Sequence, residues 1–240
     1  MATVEAIEKK ISCCTRKWLG LPPGLTTVAL YSRSAKLRLP LKSVVEEYKV
    51  GKARLQTMLT YSKDTAISNI KPTLKTGRKW KVSEACEEAA ESAKLKELVG
   101  ITQNGRHGLG YGNEERQWWS RASGKEKRGL VIQEIRENTE QERIQCAVQQ
   151  SQQGQWTTWE DTLQRSLSWN DIWHMAPLRL SFVIRAVYDQ LPTGANPTKW
   201  RLTQDEKCPL CGEIETLNHV LSACKVALGS AGIRGSTTKC

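Results

Sequence analysis

The residues with the clearest capacity for chemistry lie between Cys208 and Cys224, in the stretch CPLCGEIETLNHVLSAC, spaced C-x2-C-x7-H-x4-C. A Cys-Pro-Leu-Cys turn can aim two thiolates at one point, and His219 and Cys224, five residues apart, fall on roughly one face of a short helix. Three sulfurs and one imidazole nitrogen form a closed tetrahedral set, which suits zinc. A catalytic zinc keeps one position open for water or substrate. Cys208, Cys211, His219 and Cys224 therefore imply a structural zinc that folds a turn against a helix and does no chemistry itself. The alternative is buried cysteines beside a surface histidine, but four ligand types at metal-binding spacing rarely coincide. Disulfides are disfavoured because Met1 to Lys10 is charged with no apolar run behind it, unlike a secretory signal. An intracellular, reducing setting is expected, with Cys13, Cys14, Cys86, Cys146 and Cys240 as small apolar fillers.

A second candidate chemistry is phosphate binding. The net charge is +11, and residues 1–80 carry 16 Lys and Arg against 5 Asp and Glu, while residues 81–240 carry 20 of each. Such a surface suits a polyanion, since each neutralised phosphate releases counterions. A merely solvated basic face is the plainer alternative. The loop Lys71 to Lys81, KPTLKTGRKWK, holds five cations and one Trp and no acid. Lys71, Lys75, Arg78 and Lys79 are candidate phosphate ligands, and Trp80 can stack on a base or simply pack the loop onto the next helix. Lys42, Lys49, Lys52 and Arg54 extend the basic face, and Lys199, Arg201 and Lys225 flank the zinc segment.

No catalytic constellation accompanies these groups. The glycines at 105, 108, 110 and 112 lack both the G-K-[ST] of a P-loop and the spacing of a dinucleotide-binding turn, so they read as a flexible connection. His107 and His174 belong to no motif, and Asp64, Asp161, Asp171, Asp189 and Asp205 include no adjacent pair.

The elements that must position these groups are mostly helical. At 240 residues the chain suits one large or two small domains, and no stretch approaches the roughly 20 apolar residues that span a bilayer, so no membrane partner is expected. Val4, Ile7, Ile11, Cys14 or Thr15, and Trp18 give the spacing of an amphipathic helix. Leu25 to Tyr31 and Leu37 to Leu39 read as two short strands joined by a turn, a β hairpin. Leu41 to Leu59 reads as a helix with Val44, Val45, Tyr48, Leu55 and Met58 inward, and Ser83 to Val99 as another, capped by Ser83. Ser123 with Glu126 forms a capping box for a helix to about Gln150. Its polar middle, Arg136 to Arg143, implies a solvent-bridging linker. Trp156, Trp159, Trp169 and Trp173 suggest a compact helical core. Pro177 opens a helix with Leu180, Val183 or Ile184, Val187, Tyr188 and Leu191 as its apolar stripe.

Several stretches, in order, resemble the region downstream of the polymerase palm in reverse transcriptases of non-LTR retrotransposons, in the group with a restriction-like endonuclease. They are Trp18 to Pro22, Leu37 to Val50, Thr76 to Trp80, Glu97 to Gly100, Leu180 to Pro192 and Cys208 to Leu228. The resemblance implies a thumb-like region in the first 80 residues, a helical linker and then the knuckle that precedes the endonuclease. Taken with the residues themselves, the domains expected are a basic thumb-like region (1–80), a helical linker (81–153), a Trp-rich helical region (154–207), a CCHC zinc knuckle (208–228) and a disordered tail (229–240). The resemblance also implies binding of element RNA and target DNA, with Cys208, Cys211, His219 and Cys224 as the knuckle ligands. The chain shows neither palm aspartates nor an endonuclease cluster, so the expectation is a truncated, noncatalytic fragment of a parent protein, intracellular and nuclear. The fold class expected is mainly α: a thumb-like region with a short hairpin, a long helical linker and a small zinc knuckle. A protein-interaction module and a decayed open reading frame without a selected role are the alternative functions.

Overall fold

A computed structural model describes residues 1–70, 74–99, 102–105, 108–111 and 119–229 of the chain. It is mainly helical. In chain order its elements are α1 (Ala2–Trp18), α2 (Val28–Tyr31), β1 (Leu37–Arg38), α3 (Val44–Thr60), α4 (Thr65–Ile70), α5 (Val82–Val99), β2 (Thr102–Gly105), β3 (Gly108–Tyr111), α6 (Gly124–Val148), a 3-10 turn (Gln155–Thr158), β4 (Arg165–Ser166), α7 (Trp169–His174), α8 (Pro177–Val187), α9 (Ala195–Lys199), a π turn (His219–Ala223) and α10 (Lys225–Gly229). The chain divides into two compact units, one of residues 1–12 and 41–143, the other of residues 13–40 and 144–240.

The first unit is built on α3, α5 and α6. Ser43 caps α3 by accepting from the Glu46 amide, and its own hydroxyl donates to Glu8 Oε2 at 2.5 Å. The core gathers Val50 and Ala53 from α3, Val82, Cys86, Ala89 and Ala93 from α5, and Trp119, Val131 and Ile135. The alanines matter: Ala53 and Ala89 are wholly buried, and small side chains let helices approach closely. The inward face of α3 is therefore Glu46, Val50, Ala53, Gln56 and Thr57, whereas Leu55 and Met58, expected inside, are exposed. The helix is turned because its neighbours accept small and polar groups at the contact. α1 departs in the same way: Ser12 is buried, while Ile7, Ile11 and Trp18 are exposed.

Two polar features of this unit replace sequence expectations. The α5 cap comes from Thr76, whose hydroxyl accepts from the Val82 amide at 3.1 Å; Ser83 lies inside the helix. The polar middle of α6 is not solvent-bridging. Glu46 is bound by Arg143 at 2.7 Å and Arg136 at 3.6 Å, Arg136 also meets Glu47 at 2.9 Å, and Arg143 meets Glu140 at 3.2 Å. Glu46 and Glu140 are buried, so the charges that made α6 look solvated are what join it to α3. The Ser123–Glu126 capping box forms as expected. The glycines 105, 108 and 110, read as a flexible connection, lie in an antiparallel β2–β3 pair with Gly105 opposite Gly108; Gly112 and His107 lie outside the described residues.

In the second unit the expected hairpin is absent. Leu25 to Tyr31 ends in the short helix α2, and β1 pairs in parallel with β4, Leu37 opposite Arg165 and Arg38 opposite Ser166. A β-branched residue among buried neighbours followed its tertiary surroundings over its intrinsic strand preference: Val28 is 4 % exposed within α2. Ser168 and Asp171 form a capping box at α7, and Pro177 opens α8 as the sequence implies. Leu180, Ile184, Tyr188 and Leu191 are buried. Gly20, with φ +63°, turns the chain after α1 so that its carbonyl accepts from Ser181 Oγ at 3.0 Å and Arg185 at 2.5 Å. Of the four tryptophans expected in a core, Trp156 is buried against Tyr188, Trp159 is half-buried, and Trp169 and Trp173 are exposed. Trp173 packs on Trp18 with ring centroids 5.6 Å apart. No described helix is long and apolar enough to cross a membrane.

Candidate metal centre

The metal-binding segment begins with a tight turn. Gly212 N–H donates to the Cys208 carbonyl at 2.8 Å and Cys208 N–H to the Glu213 carbonyl at 2.7 Å. This closure requires φ +76° at residue 212, a left-handed conformation that glycine adopts without steric cost. Lys207 and Ile214 then pair antiparallel, bringing the chain back beside its entry. Cys208 and Cys211 are thus fixed at the mouth of a stapled loop.

The other two ligands come from the turn that follows. In a regular α-helix, residues five apart point about 140° away from each other. Here His219 to Ala223 form a π turn, and Cys224 N–H donates to the His219 carbonyl at 2.9 Å, an i to i+5 bond that returns Cys224 towards the histidine. The expected continuous helix from Thr216 to Leu228 is instead this π turn followed by α10. The x4 spacing explains the departure, because only a widened turn lets both side chains face one point.

The result is a compact donor set. The ligand atoms of Cys208, Cys211, His219 and Cys224 all lie within 4.8 Å of one another, and Cys211 Sγ is 3.3 Å from His219 Nε2. A tetrahedral zinc with its usual bond lengths separates such atoms by about 3.5–3.8 Å, so the set fits the ion with small inward movements. Cys208, His219 and Cys224 are buried. Three sulfurs and one nitrogen would complete the four-coordinate shell of a structural zinc.

The surroundings tune these donors. The Leu210 and then the Cys211 backbone amides donate towards Cys208 and bring its thiol down to about 7, favouring the metal-binding thiolate. At Cys211 the Glu213 amide acts in the same direction, but burial and the neighbouring Cys208 and Cys224 thiols outweigh it and leave the thiol raised. Without an ion, neighbouring thiols cannot all ionise together. His219 turns Nε2 towards the sulfurs, 3.3 Å from Cys211 Sγ, which makes Nε2 the candidate ligand, while Glu213 Oε2 lies 3.7 Å from Nδ1, beyond a hydrogen bond. Ala227 N–H points at Cys224 Sγ at 3.4 Å, and Thr216 Oγ1 accepts from the His219 amide.

Glu215 anchors this centre to the rest of its unit. Its carboxylate accepts from Gly194 N–H at 2.8 Å, its carbonyl accepts from Ala195 N–H at 3.1 Å, and its amide donates to Glu206. Immediately beyond, Asn196 is 1 % exposed; its amide donates to the Asp189 and Leu191 carbonyls and its oxygen accepts from Gln152. The sequence assigns no role to Glu213 and Glu215, and Asn196-Pro197 reads only as the start of a helical turn through Trp200, which α9 matches. The alternation Glu213-Ile214-Glu215 behind a glycine signals a returning extended strand, but nothing local points to the hydrogen bonds of Asn196.

The basic candidates fall in both units. In the first, Lys42 and Arg54 are exposed, Lys52 sits over the Tyr48 ring at 5.6 Å, and Lys75, Arg78 and Lys79 are exposed, with Lys79 paired to Glu5 at 2.7 Å. Lys71 lies outside the described residues. Trp80 is half-buried, packs on the core of the unit and meets the Tyr48 ring at 6.5 Å. Lys49, Arg78, Lys79 and Trp80 come together along one groove. In the second unit Lys199, Arg201 and Lys225 are exposed, Lys199 lying 3.7 Å from Asp189. His174 is exposed and its ring faces the Asn170 carbonyl.

Residues 151–229 match the family model described as zinc-binding in reverse transcriptase. The C-terminal region is thus related to reverse transcriptases, and its Cys3His cluster is a set that could hold the zinc such a region binds. No curated protein and no solved structure matches the chain.

Proposed function

We propose that this chain is a noncatalytic, nucleic-acid-binding part of a retroelement reverse transcriptase, of the non-LTR group with a restriction-like endonuclease. The observation that carries the reading is the closed Cys3His cluster inside a segment matching the zinc-binding region of reverse transcriptases. Cys208, Cys211, His219 and Cys224 would hold a structural zinc. The ion supplies no reactive position; it ties the stapled loop to the π turn, and through Glu215 to α9. Thumb-like functions fall to the basic first third and linker functions to residues 81–153, in a protein that works in the nucleus on element RNA and target DNA. Phosphate attraction comes from Lys42, Lys49, Lys52, Arg54, Lys71, Lys75, Arg78 and Lys79. Fluorescence anisotropy with RNA and DNA across a salt series tests the reading: affinity should fall steeply as salt rises, and absent or salt-insensitive binding sinks it. A second reading, a protein-interaction module, draws on the exposed Trp18, Trp173, Leu178 and Phe182. A partner that stays bound after nuclease treatment would favour it.

A further inference from the structure

The groove of the first unit has a charge distribution that a simple phosphate track would not need. It has a volume of about 250 Å³ and is lined by Lys49 of α3, by Arg78, Lys79, Trp80 and Lys81 of the loop before α5, by Glu84 and Glu88 of α5, and by Asn138, Thr139 and Glu142 of α6. Two of the cations are already engaged, Lys79 with Glu5 and Lys81 with Glu84; Lys49 and Arg78 have no ion-pair partner among the described residues. α5 begins at Val82, next to Lys81, so the positive end of an 18-residue helix adds to the charge of the loop. Glu88 and Glu142, both exposed, lend negative charge to the groove.

A duplex cannot be accommodated well there. The volume is at the low end for a small-ligand pocket, and a second phosphate strand would meet the carboxylates. One strand with a splayed nucleotide meets neither obstacle. Its phosphate can sit on Lys49 and Arg78, its base can lie along Trp80, and its edge can face the acids. A carboxylate accepts hydrogen bonds and cannot donate them, so it favours an edge with adjacent donors. Among the bases, guanine offers this pair in its ring N–H and 2-amino group.

Building on the nucleic-acid-binding function proposed above, we propose that this groove binds one unpaired nucleotide of a single strand, with guanine preferred. Trp80 supplies the stacking surface, and Glu88 and Glu142 read the donor edge. Trp80 is positioned by its packing on the unit's core and on Tyr48, whose ring is tilted 59° from the indole.

The test is anisotropy of the full chain with labelled RNAs: UUUGUUU, the same strand with inosine in place of guanine, UUUUUUU, and, as the duplex, the guanine heptamer paired within the stem of a GC-clamped hairpin. The guanine strand should bind about fivefold more tightly than the inosine strand, which lacks the 2-amino group. It should also bind more tightly than the duplex. The double variant Glu88→Gln, Glu142→Gln should equalise guanine and inosine without altering the dependence on salt. Trp80→Leu should weaken all single strands about tenfold, with its thermal transition recorded to show that the core is intact. Equal binding of duplex and single strand, or of guanine and inosine in the parent chain, overturns the groove assignment and leaves the nucleic-acid reading standing. Absence of salt-dependent binding to every probe overturns both.

Discussion

At the scale of single residues, the metal cluster depends on groups outside its four ligands. Glu213 Oε2 lies 3.7 Å from Nδ1 of His219, and its charge favours a proton there that leaves Nε2 for the metal. A hydrogen-bonded partner of this kind is worth roughly 10–100-fold in metal affinity, and an exposed carboxylate at this distance less. Glu213→Gln is therefore expected to keep the zinc stoichiometry while releasing the metal to a competing chelator at about a two- to threefold lower chelator concentration. Asn196 plays a different part, since its buried amide serves the carbonyls of Asp189 and Leu191 and the side chain of Gln152. Asn196→Ala removes these bonds from a buried site, although Gln152 still donates to the Asp189 carbonyl and the Thr193 amide to the Leu191 carbonyl, and should cost about 2 kcal/mol in chemical denaturation. The four ligands were legible from spacing because metal chemistry restricts both residue type and interval. Asn196 was not, because its partners lie at separations of 5 to 44 residues and only the folded chain assembles them.

At the scale of elements, hydrophobic periodicity placed the helices well and their faces poorly. The stripe on α8 was correct because its large apolar side chains are themselves the core: Leu180, Ile184 and Tyr188 are buried. On α3 the contact uses Ala53 and a buried Glu46 instead, so a pattern of large apolar residues selected the wrong face. The capping box at α6 needed only neighbouring residues and was readable directly. The union of α3 with α6 was hidden, because a run of charges reads as solvated until its partners are known. Removing one member of a buried ion group leaves its partners with less compensating charge. Glu46→Leu should thus destabilise the first unit by about 2 kcal/mol, since Arg143 then keeps only Glu140 and Arg136 only Glu47 among these carboxylates. Adding Arg143→Met to that variant should recover part of the loss, and a double-mutant cycle by urea denaturation measures the coupling. If the two substitutions simply add, the ion group does not join these helices.

At the scale of the whole molecule, charge and metal occupy different parts of the sequence. The excess of cations lies in residues 1–80, and the metal cluster lies in residues 208–224. The contact units do not follow this order, because residues 13–40 belong with 144–240. Composition can locate charge along a chain but says nothing of which distant segments pack together. The zinc-binding segment reaches α9 through Glu215, and α9 reaches Asp189 and Gln152 through Asn196. Stripping the metal should consequently raise amide exchange across residues 189–229 while the α3 and α5 core amides keep their protection. Equal loss of protection in both places would contradict that local role. The most direct test of the central claim is the zinc content of the purified full-length chain beside Cys211→Ser. One zinc ion per chain, lost in the variant, is the predicted result; a parent chain free of zinc, or a variant that retains it, would contradict the account.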